Sequence, residues 1–247
     1  CTGPGQNFGW PVFEGLEPHA NYSVANTANQ DAPNPLYGSG GCTKQYFYFR
    51  DLIIQDTLNA PSWPNSCNTG QQIPTSLFRF VHRRPALDWK HGSGPARTGV
   101  YVGNNAAVTN VGAVGSPVSG PQFVGNCSIG GVWYTGTDFP PSYQNTYFQA
   151  DYGAQWIKSF SFDGNDKPTA VQNFLDGGGG IVFVTSDPVS GYLYYISWAS
   201  VLKRITYLPS TNQPPLVVAA ADKTYGPGPL TVQFSSTGST DPDGYPL

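Results

Sequence analysis

Charge is scarce in this chain. Asp, Glu, Lys and Arg make up 11 % of its 247 residues, against roughly 25 % in soluble domains at large. The formal net charge is −3 and no basic run occurs. That excludes the cationic footprint on which non-specific nucleic-acid binding rests. No apolar run approaches the roughly 18 residues of a membrane-spanning helix. The four cysteines, Cys1, Cys42, Cys67 and Cys127, show no CxxC spacing and have no His close by, so a zinc site is not indicated. Neither a G-x-S-x-G elbow nor an HExxH helix is present. Four consecutive glycines, Gly177 to Gly180, lack the following Lys-Ser/Thr of a phosphate loop. They read instead as a tight backbone turn.

What the chain does hold is turn formers and aromatics. There are 30 Gly and 23 Pro, and Phe, Trp and Tyr make up 14 %. So many aromatics argue against disorder. The combination predicts many short strands, many turns and a surface of Ser, Thr, Asn and Gln. With low charge and an even cysteine count, it also predicts an oxidising, extracellular setting with up to two disulfides. Cys42 and Cys67 lie in one long loop-like region and are the expected pair; free buried thiols are the alternative. Asn21-Tyr-Ser and Asn126-Cys-Ser match glycosylation acceptor sites, a motif common by chance.

The middle of the chain reads as an antiparallel meander. Two aromatic, β-branched runs, 131–134 and 146–152, flank a Gly/Asp/Pro-rich connection, and 156–162 (WIKSFSF) follows as a further strand. DGNDK at 163–167 is a hairpin turn, after which 171–175 is read as opening the next sheet. Residues 181–185, 192–198 and 202–207 are three successive strands. Upstream, 19–74 is long and irregular, with one apolar piece at 46–54 and a short helix allowed at 51–58. Residues 77–81 (LFRFV) are a strand, and 95–125 give one or two flat strands. Gly9, Trp10 and Pro11 are expected to form a packed turn with Trp10 buried. Residues 209–215 (PSTNQPP) read as a linker.

Three segments carry a family resemblance. GG-x-x-Y-x-G-x-x-FP-x-x-Y-x-x-x-YF-x-ADY at 130–152, GQNFGWPVFEG at 5–15 and GYLYYISWASVLKRITY at 191–207 resemble the late blades of the glucose/sorbosone dehydrogenases. That resemblance implies an all-β fold: part of a secreted six-bladed β-propeller over 1–208. It implies about half of a propeller, with the remaining blades supplied by further sequence or by another chain such as a second copy, or with the fold itself reduced. Residues 216–247 resemble the start of a PKD domain, an immunoglobulin-like sandwich, through GPGPLTVQF at 226–234 and STDPDG at 239–244. Only its first strands are present.

The resemblance also implies aldose oxidation with the quinone cofactor PQQ and calcium. The family's His base, its Arg-Asn pair and its calcium-holding carbonyls come from blades before the GWP segment. Its later cofactor contacts, a Lys and two Arg, correspond to residues 152–155 (YGAQ) and 176–180 (DGGGG). This sequence departs from the pattern there, since neither zone has a cation to pair with the cofactor's carboxylates.

The remaining site candidates are His82, Arg84 and Asp151. His82 and Arg84 belong to the densest polar cluster, with Arg83, Asp88, Lys90, His91 and Arg97. Arg supplies a planar fork of donors and His a base, which suits an anion or sugar hydroxyl. A solvated loop with local ion pairs, such as Asp88 with Arg84, is the bland reading. Asp151 ends the ADY strand, where a turn-capping role competes with a site role. Asp241 and Asp243 could offer oxygens to calcium or could simply cap a turn. Non-catalytic readings stand beside the enzyme: an assembly protein that binds neighbouring chains through blade surfaces and PKD strands, or a carbohydrate-binding module that stacks Trp and Tyr on sugar.

Overall fold

Aromatic and β-branched runs cut by Gly and Pro leave this chain little choice but short strands. The computed structural model describes residues 6–91, 93–198, 200–208 and 213–243. Its fold is all-β, and the only helical pieces among the described residues are single 3-10 turns at Phe49–Asp51 and Pro141–Tyr143. The chain divides into two units, Cys1–Ile205 and Thr206–Leu247.

The first part of the large unit is irregular. It holds the short strands β1 (Phe13–Glu14), β2 (Glu17–Pro18), β3 (Ala28–Pro33), β4 (Tyr46–Tyr48), β5 (Ile53–Ile54), β6 (Pro64–Asn65), β7 (Asn68–Gln72) and β8 (Phe80–Val81). They pair as two-stranded ribbons, and β5 with β8 is a parallel pair. Ribbons of this size do not stand alone. They are held by two small clusters, one of Ala32, Phe47, Leu52 and Ile73 and one of Val12, Phe13 and Ile53, and by the Cys42–Cys67 disulfide. Cys127 is a free, exposed thiol, and Cys1 lies outside the described residues. The helix allowed at 51–58 does not form; β5 runs there instead. Trp10 is not buried. It is 67 % exposed and rests edge-on against His19, with Tyr22 beside it.

Regular sheets begin with β9 (Asp88–Lys90), β10 (Ser93–Val102) and β11 (Asn105–Asn110), in the order β11-β10-β9. A four-stranded meander follows: β12 (Ser128–Tyr134), β13 (Thr146–Asp151), β14 (Trp156–Phe162) and β15 (Pro168–Leu175). Residues 171–175 therefore complete this sheet. The DGNDK turn is tight enough that β15 falls back on β14, with Phe160 opposite Val171. Asp163 stabilises the turn by accepting from the backbone N–H groups of Asn165 and Lys167, both at 2.9 Å. The last meander, β16 (Ile181–Ser186), β17 (Leu193–Ser197) and β18 (Val201–Ile205), has three strands in sequence order.

Strand alternation then decides where each side chain goes. In the four-stranded sheet, Tyr134, Phe148, Ala150 and Ile157 share one face with the buried Ile181, Val184, Leu193 and Tyr195 of the last meander. The two meanders thus share one core. Tyr134 links them by donating its O–H to Gly191 O at 2.7 Å. On the opposite face, Trp156, Phe160 and Val171 pack with Ala96, Val111, Val118 and Phe123. β14 is covered on both faces, which explains its nearly continuous burial. In the small unit, β19 (Ala220–Ala221) pairs with β20 (Phe234–Ser235), and Leu216 bridges Thr240.

Candidate functional site

His82 follows β8, where its N–H donates to Ile54 O at 2.8 Å. Its ring is buried and stacks on Phe13 with centroids 4.3 Å apart. Nδ1 lies 3.1 Å from Gln55 Oε1, which can only accept, so Nδ1 carries the proton. Nε2 is buried without a hydrogen-bond partner. The lid over the ring is Gly9, at φ +100°; a Cβ there would come within 2.8 Å of His82 Cδ2. Burial pushes the imidazole below its ordinary pKa, with Asp56 and Arg84 acting in opposite senses. The result is a neutral, sealed imidazole that no substrate can reach.

A pH effect follows. The unfolded imidazole titrates near ~6.5 and the folded one lower, so the unfolded chain binds more protons in between. Stability from His82 is complete above about pH 6.5 and is lost as pH falls toward the folded value. Melting curves of wild type and His82→Phe should converge as pH drops from 7.5 to 5. Curves that stay parallel would show that His82 does not titrate with folding.

Arg84 is also used internally. Its Nε pairs with Asp56 at 2.8 Å, and Nη1 donates to Val100 O and Ala107 O at 3.1 and 2.9 Å. It therefore pins two neighbouring strands, and Tyr101 covers its guanidinium. The expected Asp88–Arg84 pair does not form. Asp88 instead grips Arg97 with both oxygens, at 2.9 and 2.7 Å, and accepts from Leu16 N at 2.9 Å. Arg97 also bonds Glu17. Its hydrogen bond holds the Glu17 carboxyl below the usual range, against the opposing effect of burial. Burial works against the Arg97 charge too, but Asp88 and Glu17 outweigh it and its pKa is raised. The cluster is thus an internal brace for most of its charges, not a solvated loop.

Asp151 ends β13 and is fully buried. Its carboxylate accepts from Ala154 N at 2.7 Å, Asn126 N at 2.9 Å, Cys127 N at 3.2 Å and Trp89 Nε1 at 3.2 Å. Four donors occupy the lone-pair positions a base would need. Asp151 shares none of these partners with His82 or Arg84, so the three candidates do not form one constellation. In the small unit, Asp241 Oδ1 accepts from Asp243 N at 2.8 Å, and Asp243 accepts from Gln213 N. That is a capped turn. Among the described residues, no three His, Cys, Asp or Glu side chains gather as metal ligands.

The two zones matched to cofactor contacts do converge. Gly178 N donates to Gln155 O at 2.8 Å, and Gly180 lies under the Tyr152 ring, which meets Trp198 edge-on. Residues 152–155 and 176–180 carry no Lys or Arg, however, and Asp176 adds a negative charge. These residues do not fit a tricarboxylate cofactor.

A different feature opens on the other side of the four-stranded sheet. A cleft of about 570 Å³ runs between residues 85–91 and the face of β13 and β14 that carries Tyr147, Gln149, Phe160 and Phe162. Trp133 on β12 extends the aromatic surface; its ring lies 5.6 Å from Tyr147 and 5.3 Å from Phe162. Ser128, Asn126 and His91 add polar groups at the wall. Sequence reading missed this cleft. The available signal was the period-2 placement of Tyr147 and Gln149 opposite Trp133 and Gly131. No protein-family model and no curated protein matches the chain.

Proposed function

We propose that this chain builds part of a secreted, sugar-dehydrogenase-like β-propeller, and that its own residues serve as blade scaffold rather than as the oxidising centre. One observation carries the reading. Two of the three segments that bear the resemblance, 130–152 and 191–207, lie in successive antiparallel meanders, and β12 and β13 pack face to face on β16 around a shared core. That is how neighbouring propeller blades stack. The Cys42–Cys67 disulfide supports an extracellular location. The structural engagement of His82, Arg84 and Asp151, and the missing cations at 152–155 and 176–180, support a non-catalytic role for these residues. The test is dye reduction with PQQ, calcium and a panel of aldoses. This chain alone should give none, and sugar-dependent reduction would overturn the scaffold assignment.

A second reading, assembly, draws on the last meander. Phe183, Ile196 and Leu202 form one cross-strand row on the face away from the shared core. Phe183 is 52 % and Leu202 65 % exposed. Such a row favours burial against further blades or another copy of the chain. Size in solution tests it: concentration-dependent association, reduced in Leu202→Lys, supports the reading, whereas a monomer at every concentration removes it.

A further inference from the structure

The cleft beside β13 and β14 has the chemistry of a binding site, and its walls are built rather than incidental. Trp89 lies across Gly125, where any Cβ would strike its indole. Its Nε1 is fixed on Asp151, and its ring meets Phe123 and Trp156 edge-on at 5.7 and 5.6 Å. Tyr147 lies across Gly131, where a Cβ would come within 2.8 Å of its ring. Two glycines therefore leave room for two aromatic rings, which are held in place before any ligand arrives. Preorganised rings lose little entropy on binding.

The polar groups point to the kind of ligand. Gln149 Nε2 donates to Ile129 O at 2.9 Å and to Ser128 Oγ, which fixes the amide and leaves Oε1 to accept. Ser128 and Asn126 stand beside it at the wall. Asp88 and Glu14 both line the cleft; Arg97 matches the charge of Asp88, and the Glu14 side chain is 69 % exposed, so its carboxylate stands largely in water at the rim. Such a site suits a neutral ligand with flat C–H faces and hydroxyl edges. The volume falls in the range of ligand pockets, roughly 300 to 1,000 Å³.

From this geometry we infer that the cleft binds a neutral glycan, stacked on Trp133, Tyr147 and Phe162 and hydrogen-bonded by Gln149. The site needs no cofactor and is independent of the dehydrogenase reading; a failed dye assay leaves it untouched. The experiment is titration of the whole chain with cellohexaose, xylohexaose and maltohexaose, followed by calorimetry and tryptophan emission. Saturable binding to at least one is expected. Trp133 is 50 % exposed, so Trp133→Ala should keep the wild-type melting temperature while weakening binding about tenfold or more. Trp198→Ala, which removes an exposed ring on another surface, should bind as wild type does. No saturable binding to any of the three hexaoses overturns the proposal. So does equal weakening by both variants, or saturable binding of a proline-rich peptide with none of glycan.

Discussion

Replacing Asp151 by alanine is expected to destabilise the large unit by about 3 to 5 kcal/mol, because several buried donors lose their acceptor together. Three of them are backbone N–H groups, of Asn126, Cys127 and Ala154, and the fourth is Trp89 Nε1. A backbone N–H that loses its partner in a buried place cannot be hidden by a rotamer change. For a unit of this size the loss corresponds to a fall in melting temperature of about 10 °C. Asp151→Asn should do almost as badly. Its amide nitrogen would face donors with a donor, and only one oxygen would remain to accept. The pair of variants separates a structural carboxylate from a site carboxylate. A site residue freed from a pocket usually leaves stability unchanged or raised. Calorimetric melting of both variants decides it: a shift under 2 °C in each would show that the loop at 126–127 and Trp89 do not depend on this side chain.

The same residue shows what the sequence made legible. Aromatic runs bounded by Gly, Pro, Asn and Asp placed the strands from 128 to 205 to within a few residues, since period-2 alternation and turn chemistry are local signals. Where the local signal was ambiguous, topology decided. Residues 171–175 were read as opening a new sheet, yet a turn of the DGNDK kind returns its strand to the one before it. Burial of charge was not legible. Arg84 and Asp88 are four apart and look like partners, but no helix forms there to bring them together. The true partner of Arg84 is Asp56, 28 positions away, and that of Asp88 is Arg97, which also reaches Glu17 80 positions from itself. Trp10 misled for a similar reason. A large ring suggests a core, but Trp10 lies at the surface against the half-buried His19 and the exposed Tyr22 instead. The cleft escaped because its aromatic floor comes from one sheet, while its opposite wall, at 85–91, comes from a segment read for its charged side chains, as an anion or sugar-hydroxyl site or a solvated loop, and not for what it packs against.

Loss of the Cys42–Cys67 disulfide should open the irregular first part of the unit without melting the meanders. The bond closes a loop of 25 positions, for which chain-entropy arguments give about 3 kcal/mol. Little else secures that region. Its two clusters have four and three buried apolar residues, and its strands pair only two by two. The polar packing depends on the same bond. Asn34 directs Nδ2 at the two sulfurs, 3.4 and 3.6 Å away, while its Oδ1 accepts from Asn65 Nδ2 at 2.9 Å. Asn65 in turn accepts from Cys67 N at 2.9 Å. Asn34 and Asn65 are both buried, so release of the sulfurs lets water reach two amides and the ribbons they join. In the double variant Cys42→Ala, Cys67→Ala, amide exchange over residues 28–77 should rise by two orders of magnitude, the exchange equivalent of about 3 kcal/mol. β12 to β15, whose core lies elsewhere, should keep its protection. Uniform loss across all sheets would mean that the ribbons and the meanders unfold as one cooperative unit. No change at 28–77 would mean that the two small clusters suffice and that the disulfide adds nothing to them.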